Sequence, residues 1–218
     1  MSDLQLKIQF VSVFAQPVAI AESPPSMTSV ILNLEPLLHL TDEQFLAICR
    51  ANPELKFEQN AKGELIAVAP AGGETGSYNS ELNADFVIWN RRSQLGVVFD
   101  SSTCFKFANT AKRSPDVAWI AKERWEALPL EERKKFPAIA PDFVLELLSP
   151  SDSLPEIQAK LREYMENGVR LGWLIDPAEQ YVEIYRQGQP VEIRRSPTTL
   201  SGEDVLPGFT LTLSSLWT

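Results

Sequence analysis

Residues 143–148 read Phe-Val-Leu-Glu-Leu-Leu, an almost continuous apolar run that contains one acidic residue, Glu146. Such a run is typical of a central β-strand that is covered on both faces. Because side chains alternate along a strand, Glu146 is predicted to share one face with Val144 and Leu148. A carboxylate in this setting must be ion-paired, protonated or metal-bound, since burial without a partner is costly. Glu146 is therefore a candidate functional residue, and the alternatives are a structural ion pair or an exposed edge strand.

A helix is predicted directly after this strand. Ser153 and Glu156 have the spacing of a capping box, and Gly168 suits the position just beyond a helix end. Lys160 lies on this helix at the edge of an apolar stripe formed by Ile157, Leu161 and Tyr164. Its side chain is predicted either to extend into water or to reach back towards the end of the sheet.

A second acidic residue, Asp116, begins a strand predicted at residues 116–120. It follows Pro115, and Pro-Asp is common in turns, so a turn role is the alternative. If its strand neighbours that of Glu146, the two carboxylates could share a divalent cation, because Mg²⁺ and Mn²⁺ prefer oxygen ligands. Such an ion would lower the pKa of a bound water and stabilise charge that develops on a phosphate.

The remaining pattern predicts an α/β fold with a mixed central β-sheet flanked by helices. One helix begins after Thr41, a long one carries Tyr78 to Trp89 and ends at Gly96, and residues 122–135 form a polar helical stretch. Glu81 on the long helix is a further acidic candidate, with a solvated surface residue as the alternative. Strands predicted at residues 55–59 and 64–69 flank a turn at residues 60–63 and form a hairpin after the first helix. The other strands are predicted at residues 97–100, 104–107, 172–175, 181–185 and 191–194.

The length of 218 residues favours one domain. We expect residues 1–33 to be an N-terminal extension, non-native or loosely ordered, and residues 34–218 to form a single domain. Residues 10–21 are apolar and resemble a secretion signal, but Gln16 and Pro17 interrupt them. Met27, after a segment rich in proline and serine, is an alternative start to Met1.

The amino-acid composition excludes some classes of functional site. One histidine, His39, excludes a histidine-rich metal site, and no nucleophile motif accompanies it. The two cysteines are far apart, and the sequence contains no apolar run long enough to span a membrane. We therefore expect a cytoplasmic protein that does not associate with a membrane. The net charge of -9 disfavours broad binding to phosphate backbones. Local basic pairs, at residues 91–92, 112–113, 134–135 and 194–195, or a bound metal can reverse the potential locally.

Ordered motifs surround these candidates: SPD (114–116), PDFVLELLS (141–149), Lys160 and GWLIDP (172–177), with GGETG (72–76), FDSST (99–103) and LPGF (206–209) elsewhere. Together they resemble the Uma-two family of restriction endonuclease-like proteins, which belongs to the PD-(D/E)XK nuclease superfamily. The resemblance covers approximately residues 34–217. It implies a restriction endonuclease-like core around a metal-binding cleft.

The resemblance also implies functional residues. Asp116, Glu146 and Lys160 would be catalytic, with Asp116 and Glu146 as ligands of Mg²⁺ or Mn²⁺ and Glu81 as a further acidic member. The superfamily places a lysine two residues after the glutamate, where this chain has Leu148. Lys160, on the following helix, resembles this lysine moved to another position in the chain. Related nucleases often act in pairs on both strands of DNA, which is compatible with a homodimer.

Two functions therefore remain open from the sequence. One is a metal-dependent endonuclease that hydrolyses phosphodiester bonds in DNA, with Lys160 orienting the attacking water or stabilising charge. The other is a catalytically inactive nucleic-acid- or protein-binding module that retains the nuclease fold. Acidic charge and Leu148 favour the second, whereas acidic and basic residues embedded in apolar elements favour the first.

Overall fold

The computed structural model of the protein describes residues 29–34, 39–68 and 70–217. Along the chain the elements are β1 (Ser29–Leu32), α1 (Asp42–Ala51), β2 (Lys56–Gln59), β3 (Leu65–Val68), α2 (Gly73–Ser93), β4 (Gly96–Asp100), β5 (Phe105–Lys106), β6 (Lys112–Arg113), β7 (Val117–Ala121), α3 (Lys122–Ala127), α4 (Leu130–Arg133), β8 (Phe143–Leu147), α5 (Leu154–Glu166), β9 (Leu171–Asp176), β10 (Tyr181–Arg186), β11 (Glu192–Arg195), β12 (Thr199–Ser201) and β13 (Thr210–Thr212). No helix in these residues is long and apolar enough to cross a membrane.

The larger sheet has six strands in the order β11-β10-β9-β8-β7-β4. β8 pairs in parallel with β9, and the other neighbouring strands are antiparallel. The parallel pair is connected by α5, because parallel strands need a crossover. The predicted mixed sheet flanked by helices is therefore confirmed.

A second sheet has five strands in the order β1-β3-β2-β6-β5. The predicted hairpin is its centre, where β2 and β3 are antiparallel and Gly63 in the turn has a φ of +83°. β1 lies within the predicted extension 1–33, yet it pairs with β3 along all four of its residues. Residues 1–28, including Met27, lie outside the described residues.

Some predicted helix boundaries are confirmed and others are wrong. Thr41 forms the full capping box of α1. Ser153 caps α5 by position, but its side chain makes no capping hydrogen bond, so the predicted box is absent. The long helix ends at Gln94, which has a φ of 57°, rather than at Gly96, which lies in β4. The stretch 122–135 is divided into α3 and α4 at Pro129.

The apolar core lies on both faces of β8, as the alternation predicts. One face contributes Phe143, Leu145 and Leu147 to a cluster with Phe86 of α2. The other face packs Val144 against residues of α5, including Tyr164. Burying each of these large side chains contributes about 1.5–3 kcal/mol, so the position of α5 against the sheet is strongly determined. Glu146 lies on the α5 side, next to the helix that carries Lys160.

Candidate active site

A cleft with a cavity volume of about 390 Å³ brings together residues from both sheets and both long helices. We call it the central cleft and define it by six polar residues that line it, namely Lys56, Glu58, Asn79, Asp116, Glu146 and Lys160. Three of these, Asp116, Glu146 and Lys160, are the catalytic candidates that the sequence predicts. They are widely separated along the chain, and the pairing of strands and the packing of α5 bring them to one place.

Asp116 and Glu146 occupy neighbouring strands. β7 pairs with β8 so that Val117 lies opposite Leu145, and continuing this antiparallel register places Asp116 opposite Glu146. Asp116 is fixed there, because its Oδ2 accepts a hydrogen bond of 2.9 Å from the main-chain N–H of Leu147. The strand adjacency that the shared-cation hypothesis requires is therefore present.

Glu146 is only 4% exposed and has a partner for each carboxylate oxygen. Lys160 Nζ lies 2.9 Å from Oε1 and 3.0 Å from Oε2. The Tyr164 hydroxyl donates a hydrogen bond of 2.8 Å to Oε1. Lys160 was predicted either to extend into water or to reach back towards the sheet, and the structure shows the second arrangement. The ion pair named as the alternative role for Glu146 is also observed.

Glu58 is a site residue that sequence reasoning missed. It is 3% exposed, and its Oε1 lies 3.0 Å from Lys160 Nζ, so two carboxylates share one ammonium group. Arg113 Nη1 lies 3.2 Å from the other oxygen, and the main-chain N–H of Ser114 donates to Oε1 at 3.0 Å. Nothing local distinguishes Glu58 from a solvated strand residue, because its burial arises only when α5 packs beside the hairpin.

The two carboxylates around Lys160 have opposite pKa shifts. Burial raises the pKa of Glu146 to about 7; Lys160 opposes this rise, and the negative charge of Asp116 adds to it. Burial alone would raise the pKa of Glu58, but the charges of Lys160 and Arg113 outweigh it and lower the pKa to about 2. At neutral pH, Glu58 is thus fully ionised, whereas Glu146 is close to its titration midpoint.

Burial also acts on the other two charged members. It raises the pKa of Asp116, and the hydrogen bond from Leu147 opposes that rise only partly. Burial by itself would lower the pKa of Lys160, but Glu146 and Glu58 outweigh it and raise the pKa. The central cleft therefore combines a permanently charged ammonium group with carboxylates that are ready to bind either a proton or a cation.

The oxygen atoms of the cleft suit a hard divalent cation. Asp116 and Glu146 provide carboxylates, and Asn79, which also lines the cleft, has a buried Oδ1 without a hydrogen-bond partner in the described residues. No group of three or more histidine, cysteine, aspartate or glutamate residues suitable for a metal is found in that part of the chain. A cation here would depend on two carboxylates supplemented by amide, water and substrate oxygens, which is common for Mg²⁺.

The structure does not bring Glu81 to the central cleft. Glu81 is exposed and borders a separate shallow pocket with Asp85 and Leu216. Asn79 lines the cleft instead, because two residues differ by roughly 200° around a helix. Leu148, at the position of the usual lysine, is a partly buried apolar residue that packs against the α5 side of the sheet.

Comparison with known proteins shows the family of the chain. The family model described as "Putative restriction endonuclease" matches residues 42–214, which is most of the chain. The chain belongs to the Uma2 family. Membership of this family supports a nuclease-like function and confirms the resemblance seen in the sequence motifs.

A solved structure shares the fold of this Uma2 protein. It comes from Anabaena variabilis ATCC 29413, is described as a "putative nuclease belonging to DUF820", and matches with a TM-score of 0.68. The match covers 82% of this chain and 97% of that chain at 24% sequence identity. No curated protein matches the sequence.

Proposed function

We propose that the protein is a metal-dependent endonuclease that uses Mg²⁺ or Mn²⁺ to hydrolyse phosphodiester bonds in DNA. The observation that carries the proposal is that Asp116, Glu146 and Lys160 line one cleft in a member of the Uma2 family. Their residue types supply cation ligands and a positive charge, which are what phosphodiester hydrolysis requires.

Asp116 and Glu146 would hold the metal ion, with Asn79 Oδ1 as a third oxygen donor. A bound divalent cation supplies a water of lowered pKa and stabilises negative charge on the phosphate. Glu146 contacts Lys160 and Tyr164, and its raised pKa means that cation binding at neutral pH displaces a proton from part of the population. The cleft residues thus favour cation binding as the pH rises above about 7.

Lys160 would contact the scissile phosphate or orient the attacking water. Its ammonium group has three hydrogens, and two of its acceptors are Glu146 and Glu58. Glu58 acts as a positioning residue, because its ion pair with Lys160 persists if Glu146 turns to a cation. Lys56 lines the cleft and donates to the main-chain oxygen of Ser114, which adds positive potential for a nucleic-acid backbone.

The proposal extends to cellular setting and assembly. The thiols of Cys49 and Cys104 are unpaired, as is usual in the reducing cytoplasm, where we place the activity. A two-fold symmetric dimer presents one active site to each strand of a duplex, so we propose a homodimer for the cleavage of both strands in one encounter.

A second candidate is a catalytically inactive binding module. The specific observation in its favour is that Lys160 and Tyr164 already satisfy both oxygens of Glu146, as in a structural ion pair. Leu148 at the usual lysine position agrees with this alternative. A module of this kind would bind a nucleic acid or a protein without cleaving it.

Cleavage assays separate the two candidates. Supercoiled plasmid and labelled DNA and RNA oligonucleotides would be incubated with protein in Mg²⁺, Mn²⁺ or EDTA. We expect cleavage only with a divalent cation, and a fall of about 10²–10³-fold in Asp116→Asn, Glu146→Gln and Lys160→Ala. Glu81→Gln is the matched control, because it makes the same chemical change at an exposed residue outside the cleft. If pure protein cleaves no substrate, or if these variants cleave like wild type, the nuclease proposal is wrong.

A further inference from the structure

A second groove, with a cavity volume of about 360 Å³, lies outside the central cleft. It is bordered by the end of α1, the loop after β4 and the segment from α3 to residue 137. We call it the basic groove and define it by Arg50, Phe99, Cys104, Trp125, Arg133, Lys134, Lys135 and Phe136. None of these residues lines the central cleft, so the basic groove is a separate surface.

The basic groove is positively charged, although the chain carries a net charge of -9. Its charged lining residues are all cations, namely Arg50, Arg133, Lys134 and Lys135. Burial raises the pKa of the lining thiol of Cys104 to about 12, so this group adds no negative charge. A surface of one sign on a protein of the opposite sign concentrates anions locally.

Two of these cations are available to a ligand. Arg133 donates to the main-chain oxygens of Leu128 and Glu126, and Lys134 forms an ion pair of 2.9 Å with Glu131. By contrast, the exposed side chains of Arg50 and Lys135 form no hydrogen bond or ion pair within the part of the chain that the structure describes. An anion can therefore bind them without breaking an internal contact.

Aromatic rings form the apolar part of the basic groove. Phe99, Trp125 and Phe136 line it and are each partly exposed. The rings of Phe99 and Trp125 meet edge to face at 4.9 Å, and the Arg133 guanidinium lies 6.0 Å from the Trp125 ring. Cations interleaved with aromatic surface are typical of sites that bind single-stranded nucleic acids, whose unpaired bases contact aromatic rings.

The short β5–β6 strand pair lies between the basic groove and the central cleft. Phe105 pairs with Arg113, and continuing this register places Cys104 opposite Ser114. Cys104 lines the basic groove, whereas Ser114 lines the central cleft and donates its main-chain N–H to Glu58. Cys104 and Ser114 are both buried, so the strand pair separates the two sites.

We infer that the basic groove binds a single-stranded segment of the nucleic-acid substrate, which rests on the proposed nuclease function. Arg50 and Lys135 contact backbone phosphates, and the aromatic rings contact unpaired bases. DNA and RNA strands share this chemistry. The groove thus gives an acidic protein its electrostatic attraction for a polyanion.

The test measures binding without cleavage. A fluorescein-labelled oligothymidylate would be titrated with protein in EDTA by fluorescence anisotropy, at salt concentrations between about 50 and 200 mM. The test variant is Arg50→Gln/Lys135→Gln. The matched control is Arg91→Gln/Arg92→Gln, which removes the same charge from exposed residues in the last turn of α2. Thermal melting would check that all proteins are folded.

We expect the test variant alone to lose affinity. Each phosphate contact on a single strand contributes about 0.7 to the slope of log affinity against log salt, so two contacts contribute about 1.4. A four-fold rise in salt should therefore weaken wild type about 7-fold more than the variant. Equal slopes for the two double variants would overturn the inference, as would no detectable oligothymidylate binding by wild type.

Competitors define the ligand class. Unlabelled oligouridylate should compete like oligothymidylate if the site accepts either sugar, whereas competition by DNA alone would restrict the groove to DNA and still support the inference. Stronger competition by duplex DNA or by poly-glutamate would overturn the single-strand assignment. Groove-dependent binding without any cleavage would support this inference and contradict the proposed nuclease function. Cleavage with unchanged affinity in the test variant would do the reverse.

Discussion

Replacing Glu146 with glutamine is expected to stabilise the metal-free protein at alkaline pH while abolishing cleavage. The ionised carboxylate is buried on β8, beside Asp116 and Glu58, and its pKa is about 7 in place of the ordinary 4.5. Glutamine has nearly the same shape as the protonated acid and can still accept from Lys160 and Tyr164. The substitution therefore removes the charge and retains the packing.

The size of the expected change in unfolding free energy follows from the raised pKa of Glu146. Between pH 4.5 and 7 the folded state holds more protons at Glu146 than the unfolded state, so stability falls as the pH rises through this window. Raising the pKa from 4.5 to about 7 corresponds to a loss of about 3 kcal/mol of stability at high pH, because a tenfold change in proton affinity corresponds to about 1.36 kcal/mol. Glu146→Gln should thus gain up to about 3 kcal/mol at pH 9 and almost nothing at pH 4.

Urea unfolding in EDTA at pH 4, 7 and 9 would measure this difference, with Glu81→Gln as the control for a glutamate exposed to water. Adding Mg²⁺ should stabilise wild type and leave Glu146→Gln unchanged, because the ligand is lost. A structural ion pair predicts the reverse result. If Glu146→Gln lost about 3–5 kcal/mol at pH 9, the carboxylate would be a net stabilising partner of Lys160, and the reasoning would be refuted.

Two further substitutions test the ion pairs around Lys160 and the packing of β4. Glu58→Gln should behave oppositely to Glu146→Gln, because the folded pKa of Glu58 is lowered from 4.5 to about 2. It should cost about 3 kcal/mol above pH 5, and in urea titrations this loss should shrink as the pH falls towards 2; a pH-independent loss would contradict it. Gly96→Ala should cost about 3 kcal/mol in urea unfolding, because an added Cβ would lie 2.3 Å from the main-chain oxygen of Ile120. An unchanged midpoint would mean that β4 moves away easily.

The sheet could be predicted because its determinants are local. Alternation around Glu146, the turn before Gly63 and the capping residue Thr41 are patterns of a few residues, and each corresponds to an observed element. The end of α2 was predicted at the wrong residue, because two nearby residues could each end the helix. Gln94 adopts the left-handed conformation at the end of α2, whereas Gly96 lies in β4, where an added Cβ would lie 2.4 Å from the Trp119 ring. β1 has little periodic signal and depends on pairing with β3.

The mixed α/β fold, the family motifs and the candidate residues Asp116, Glu146 and Lys160 can all be identified from local patterns in the sequence. A charged residue among the apolar residues of a predicted strand or helix stands out in the sequence, because burying its charge without a partner is costly. Three other relations are visible only in the folded protein. Glu58 shares Lys160 with Glu146, Asn79 rather than Glu81 lines the cleft, and Arg50 and Lys135 border one groove. These relations join residues far apart in the chain, and burial of a polar group depends on which distant element packs over it.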